Sequence, residues 1–276
     1  MNCREALAKV RKILEDSHID DASLEGEILL RHVLGTDRAG LFSNLEKELD
    51  SSQTEIMFQL VERRKQGEPS AYITGHKEFY GLKFKVDRRA LIPRPETELL
   101  VEKALGFCRE FGFSSVADIG TGCGCVAINL AKNLPAATIF AADASLPALE
   151  LAEENCAVHG LKTRISLLWG DLLQPLPDPV DMIVANLPYV RKEDMISGFE
   201  PERALNGGRD GLDVIKTLIK QVPGKLNPEG MLLLEIGQGQ ADSVKYILRG
   251  VFHSPVIEVA RDLAGIERVA IMRLTS

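Results

Sequence analysis

The segment Asn186-Leu187-Pro188-Tyr189 follows directly on a largely apolar run, Val180 to Ala185. A hydrophobic strand that ends in a polar amide needs an explanation. A strand-terminating turn is one, because Asn and Pro both favour turns. Chemistry offers another. The nitrogen of an amide or an arylamine is a poor nucleophile because its lone pair is delocalised into the adjoining π-system, as in the peptide bond. No side-chain base usefully removes its proton at neutral pH. An enzyme can instead hold the NH₂ group with two acceptors, one for each hydrogen. The side-chain oxygen of Asn186 and the main-chain carbonyl of Leu187 suit that task. So held, the nitrogen can be set in line with an electrophilic methyl group, and orientation of this kind contributes roughly 7–11 kcal/mol. The ring of Tyr189 would pack on the planar group.

A second constellation stands upstream. Asp118 and Ile119 end a short apolar segment that runs into Gly120-Thr121-Gly122-Cys123-Gly124, followed by a helical pattern. In open α/β sheets, ligands bind beyond the carboxyl ends of the strands, near the switch point of the strand order. Gly120, Gly122 and Gly124 let the backbone turn tightly and approach a ligand without a Cβ in the way. Their spacing is G-x-G-x-G, and Cys125 stands where a dinucleotide fingerprint has its third glycine. That glycine serves packing around a pyrophosphate, which S-adenosylmethionine lacks. Asp143 closes the next strand, where a carboxylate can accept both hydroxyls of a ribose, whether of a nicotinamide dinucleotide or of S-adenosylmethionine. Asp143 or Ser145 would equally serve as the cap of the following helix. Asp171 stands where an adenine amine would lie, with Leu172 beside it for backbone and apolar contact. Gly170-Asp171 also reads as an ordinary turn.

The elements that position these groups change character along the chain. Residues 1 to about 75 read as helices only. Leu7, Val10 and Leu14 form one stripe; Leu24, Ile28, Leu29 and Val33 form a second that ends at Gly35; Ile56, Leu60 and Val61 form a third, closed by Gly67–Pro69. Alternation around Gly81 predicts a β-hairpin over Glu78–Ile92, and Pro93 and Pro95 bracket a helix start at Glu96. From about Ser114, strand and helix alternate through seven strands. This predicts a doubly wound, mostly parallel sheet with helices on both faces. Only Asp262–Ile266 separates the last two strands, too little for a crossover helix, so they should pair antiparallel. The domains expected are residues 1–75, a linker at 76–95 and a catalytic domain at 96–276.

Composition narrows the partners. The net charge of −7 and a basic complement outnumbered by acids in the first 75 residues argue against a nucleic-acid surface. No stretch approaches the ~20 apolar residues of a membrane helix. The N-terminal stretch carries charges of both signs at helical spacing, unlike a signal peptide. A cytoplasmic, membrane-free monomer is expected. Cys3, Cys108, Cys123, Cys125 and Cys156 are odd in number and scattered, so no disulfide framework is expected. Cys123 and Cys125 lack a partnering pair at ligand spacing, and no metal site is expected.

Seven segments (AYITGHKEFYGLKF, LIPRPETELLVE, DIGTGCG, NLPYV, EPERALNGGRDGLDVI, LLLEIG and DLAGIERV) together resemble the bacterial release-factor glutamine methyltransferases (HemK/PrmC), over nearly the whole chain. NLPY is shared with DNA N6-adenine methyltransferases and so specifies chemistry, not substrate; IPRPETE and GGRDGLD are more specific. The resemblance implies a class I methyltransferase fold. The small helical N-terminal domain, joined through the hairpin linker, is expected to recognise the substrate, because an amide clamp alone would accept almost any amide. The resemblance implies S-adenosylmethionine as cofactor. It implies as substrate the side-chain amide of the glutamine in the Gly-Gly-Gln loop of peptide-chain release factors. By it, Asp118, Ile119, Gly120, Thr121, Gly122, Asp143, Leu172 and Asn186 touch the cofactor. Asn186, Leu187, Pro188 and Tyr189 hold the glutamine. Arg94, Glu96 and Thr97 line the site from the linker, although a helix start with ordinary capping also accounts for them. The chain departs from the family at Leu187, where proline is usual. A leucine supplies the same carbonyl but not proline's fixed φ.

Three other functions compete. A DNA or RNA N6-adenine methyltransferase would offer a flipped base to the same clamp, against which stands the acidic balance. A non-catalytic cofactor-binding module would not need Asn186–Tyr189. A nicotinamide dehydrogenase is disfavoured by the glycine spacing.

Overall fold

Side chains at the helix starts explain much of the N-terminal architecture in the computed structural model, which describes residues 1–195 and 198–274. Helix α1 (Cys3–Asp16) opens on a capping box between Asn2 and Glu5, and α4 (Ser51–Lys65) on one between Asp50 and Gln53. Asp37 caps the short α3 (Arg38–Ser43), and Gly35, in the left-handed region, ends α2 (Ala22–Leu34). A one-turn α5 (Ser70–Thr74) follows Pro69. These five helices belong to a compact unit, Met1–His76, with its own core around Val10, Leu14, Leu29, Leu30, Met57 and Val61.

Two of the expected stripes are rotated. Leu24 and Ile56 are exposed, and the inward faces are Ala22-Gly26-Leu29-Leu30 and Met57-Leu60-Val61. Small residues on a packed face carry little hydrophobic signal. Gly26 sits against Val10, where a Cβ would lie 3.1 Å from Val10 Cγ1, so the close helix contact depends on the residue that a stripe of large side chains overlooks.

The second unit is Lys77–Ser276. Strands β1 (His76–Phe79) and β2 (Leu82–Lys85) form the hairpin through Tyr80 and Gly81, both at positive φ, as a two-residue turn of that twist requires. The hairpin is shorter than Glu78–Ile92, because the chain beyond Val86 turns away to hydrogen-bond elsewhere. Ile92 N donates to Glu200 Oε1 at 3.0 Å.

The seven-stranded sheet has the order β5-β4-β3-β6-β7-β9-β8. Its strands are β3 (Ser115–Ile119), β4 (Thr138–Asp143), β5 (Ile165–Trp169), β6 (Val180–Ala185), β7 (Leu226–Glu235), β8 (Val256–Arg261) and β9 (Glu267–Arg273). β9 runs antiparallel to both neighbours and the other pairs are parallel. Helices α6 (Thr97–Phe111), α7 (Cys125–Asn133), α8 (Leu146–Val158), α9 (Asp213–Gln221) and α10 (Ala241–Val251) cover the faces. The chain leaves β3 toward one edge and returns at β6 toward the other. The switch point therefore lies between β3 and β6, whose ends are Ile119 and Ala185, paired in register. The fold is that of a class I methyltransferase, with the crevice where such a topology puts it. Among the described residues no helix is long and apolar enough to cross a membrane.

Candidate active site

At the end of β3 the backbone reverses over Ala142 of β4, whose carbonyl accepts the N–H groups of Gly120 at 2.8 Å and Thr121 at 3.0 Å. Gly120 has φ +74°, and a Cβ there would stand 3.1 Å from Leu187 Cδ2. The positive φ favours glycine, and a Cβ would also press on the Leu187 side chain. Asp118 braces the turn from behind: its carboxylate accepts from Thr121 Oγ1 at 2.7 Å and from Ala127 N at 3.1 Å. The group is 2% exposed. Burial pushes its carboxyl up to about 7, against the pull of those two hydrogen bonds.

Asp143 and Ser145 divide two tasks. Ser145 caps α8, accepting from Ala148 N. The Asp143 carboxylate accepts Gly122 N at 2.9 Å through Oδ2 and Ser145 N at 2.8 Å through Oδ1. It therefore ties the glycine turn to the end of β4, and each oxygen keeps a further lone pair. Past β5, Asp171 is exposed and Leu172 takes φ +50°, a left-handed conformation costly for a non-glycine residue.

Asn186 follows β6. Its Nδ2 donates to Thr97 Oγ1 at 2.9 Å, and Thr97, the first residue of α6, is 2% exposed. Leu187 is buried in the core against the glycine turn. The Tyr189 hydroxyl donates to Glu235 Oε1 at 3.4 Å. Glu235 ends β7 and is 1% exposed. Burial pushes its carboxyl up to about 7, while the nearby hydroxyls of Thr97 and Tyr189, which favour the charged form, pull it down. The backbone of 188–190 is held from the far side by the glycine-rich segment. Gly207 N donates to Val190 O at 2.8 Å, and a Cβ at Gly207 would fall 2.7 Å from Pro188 O. This gives GGRDGLD a mechanical reason.

A cavity of about 420 Å³ joins these groups. Its wall holds Arg94, Thr97, Asp118, Ile119, Gly120, Thr121, Gly122, Asp143, Asp171, Leu172, Asn186, Leu187 and Pro188. Three residues expected there stand back from it. Gly124 caps α7 and packs toward Ala152. Glu96 lies 3.9 Å from Arg268. Tyr189 is turned to Glu235 and Gly237. Arg94 is ion-paired with Glu200. The wall also includes residues that spacing did not single out: Ala90 to Pro93, Pro201, Arg203 and Asn206. They arrive from two irregular segments joined through Glu200, a contact between distant parts of the chain with no periodic signal. Glu235 left one trace, a carboxylate at the end of the apolar run Met231–Leu234.

The arrangement can bind a nucleoside-sized ligand beside Asp143 and present an amide acceptor to its far end. Residues 5–75 match the family model described as the PrmC N-terminal domain, and residues 96–200 match the methyltransferase small domain. Over 273 residues the chain is 40% identical to the release factor glutamine methyltransferase of Geobacter sulfurreducens, covering 96% of this chain and 94% of that protein. It is 39% identical over 276 residues to the enzyme of that name from Moorella thermoacetica, covering 97% of each. Among solved structures, ribosomal protein L11 methylase from Lactobacillus delbrueckii subsp. bulgaricus superposes with a TM-score of 0.51 at 25% identity, over 66% of this chain and 81% of that one. Identity at this level, sustained from the helical unit through the last strand, places the chain in the release factor glutamine methyltransferase family, to which it belongs.

Proposed function

We propose that this chain transfers a methyl group from S-adenosylmethionine to the side-chain amide nitrogen, N5, of the glutamine in the Gly-Gly-Gln motif of peptide-chain release factors. The observation that carries the reading is Asn186. It stands at the switch point on the cavity wall, with Nδ2 engaged by Thr97 and Oδ1 without a protein donor among the described residues. An acceptor so placed, with the Leu187 carbonyl beside it, is what an incoming NH₂ group needs.

The residues present fit the cofactor. The cavity volume lies within the roughly 300–1,000 Å³ usual for small-molecule sites. The turn at Gly120 and Gly122 leaves backbone open to the cavity. The Asp143 carboxylate has lone pairs for two ribose hydroxyls, and Asp171 and Leu172 would take the adenine. When bound, the cofactor supplies an electrophilic sulfonium methyl. The chain's part is to orient. Asn186 Oδ1 and Leu187 O would take one amide hydrogen each, and Pro188, on the cavity wall, would limit the tilt of the amide plane. Held by these two acceptors, the glutamine nitrogen would face the methyl group that the cofactor would supply, and the proton it gives up would pass to water. No basic side chain is needed, and positioning supplies the rate. The relatives' substrate and the acidic balance of this chain support a protein substrate, in a cytoplasmic setting, over a nucleic acid.

The test is mass spectrometry of a release factor incubated with the enzyme and methyl-labelled cofactor. One methyl group is expected on the Gly-Gly-Gln peptide. Asn186→Ala should lower kcat by roughly 10²–10³ while weakening cofactor affinity only modestly, as for loss of one oriented catalytic hydrogen bond. Label on adenine in nucleic acid, with none on the release factor, would sink the proposal.

A further inference from the structure

An asparagine amide is useful as a clamp only if its oxygen, not its nitrogen, faces the substrate, and Thr97 alone does not fix which. A hydroxyl accepts as readily as it donates. Facing Asn186, it could receive Nδ2–H or give its own proton to Oδ1, and the second arrangement would turn an NH₂ group toward the NH₂ group of the substrate. Something must commit the Thr97 proton elsewhere. Glu235 is placed to do so. Its carboxylate is 1% exposed, at the end of the strand adjoining β6. Its Oε1 accepts from Tyr189 at 3.4 Å, and its Oε2 is buried with no partner in hydrogen-bond geometry. The Thr97 hydroxyl lies close enough to this carboxyl to favour its charged form, and Thr97 Oγ1 is engaged only as the acceptor of Asn186 Nδ2–H among the described residues. A buried acceptor with capacity to spare draws the hydroxyl proton.

On the clamp reading given above, we propose that Glu235 is a positioning residue for methyl transfer: by accepting the Thr97 hydroxyl it forces Thr97 Oγ1 to accept Asn186 Nδ2–H, which leaves Asn186 Oδ1 facing the substrate amide. The same carboxylate holds the Tyr189 hydroxyl, so one group orients both side chains that flank the Leu187 carbonyl. Glu235 touches neither substrate nor cofactor in this scheme. Its effect passes through Thr97.

The test uses Glu235→Gln, Thr97→Val and Thr97→Ser in the full chain, with kcat, KM for the release factor and cofactor Kd measured for each. Glutamine matches glutamate in shape but can donate to Thr97 and so release the relay. A loss of roughly a hundredfold in kcat is expected, the scale of a misplaced reacting group, with KM and cofactor Kd within about twofold and no fall in Tm. Thr97→Val should lose as much, and Thr97→Ser, which keeps the hydroxyl, should recover most of it. In the double variant Thr97→Val/Glu235→Gln the losses should not add, because both break one relay. The relay is overturned if Asn186→Ala is inactive while Glu235→Gln and Thr97→Val turn over like the parent. It is also overturned if their losses multiply. Retained turnover in Asn186→Ala overturns the clamp itself, and the relay with it.

Discussion

The Asp143 carboxylate accepts the N–H groups of Gly122 and Ser145, and through them joins the glycine turn to the start of α8. That preorders the turn and points the remaining lone pairs at the cavity. Removing the carboxylate should therefore weaken two things at once. For Asp143→Ala, calorimetry should show cofactor affinity lowered by about 1.5–3 kcal/mol, the scale of hydrogen bonds to a charged group. Because Gly122 N and Ser145 N also lose their acceptor, Tm should fall as well. Unchanged affinity with a lowered Tm would leave Asp143 a brace for the turn and nothing more.

The β3–α7 turn illustrates how an element is built around a ligand. A Cβ at Gly120 would press on Leu187, and one at Gly124, at φ +84° on the N-cap of α7, would lie 3.2 Å from Ala152 Cβ. The first of these contacts is with the substrate clamp and the second with the packing of α7 against α8. They should fail differently. Gly124→Ala is expected to destabilise by roughly 1–3 kcal/mol, from left-handed strain and overpacking. Thermal unfolding should record this as a fall of several degrees, while cofactor affinity in the folded fraction stays near that of the parent. A large loss of affinity without loss of stability would move Gly124 from the frame of the turn into the binding surface.

The whole molecule consists of two units, each with its own core. A clamp made of Asn186 and Leu187 recognises an amide group and little else, so selection of one glutamine requires contacts remote from the reacting atoms, whose binding energy serves positioning. Residues 1–75 are proposed to provide them by gripping the release factor. Deleting those residues should leave the cofactor affinity of the remainder nearly intact and lower kcat/KM for the intact protein substrate by about a factor of ten or more. Equal efficiency in the truncated enzyme would move the selectivity to the segment Arg94–Glu98.

Local chemistry made much of this molecule legible. Strand–helix alternation, the close spacing of the last two strands and the glycine turn depend on periodicity and backbone freedom, which neighbouring residues determine. So did the polar end of β6, since an amide after an apolar strand has few explanations. Side-chain burial in the helical unit was less legible: Gly26 and Ala22 form the packed face, and small residues give no hydrophobic signal. Beyond the reach of the sequence alone were the partners of the site residues. Whether Asp143 or Ser145 caps α8 depends on side-chain direction, settled by where Gly122 lies. Tyr189 reads as a stacking ring, but its hydroxyl is claimed by Glu235. Thr97 reads as a wall residue and lies on the wall, but that its hydroxyl holds Asn186 Nδ2 was not evident. Each of these follows from bringing the ends of β3, β6 and β7 and the start of α6 to one edge of the sheet, segments far apart in the chain. Spacing records which groups are near in sequence; only the tertiary fold decides which buried proton meets which acceptor.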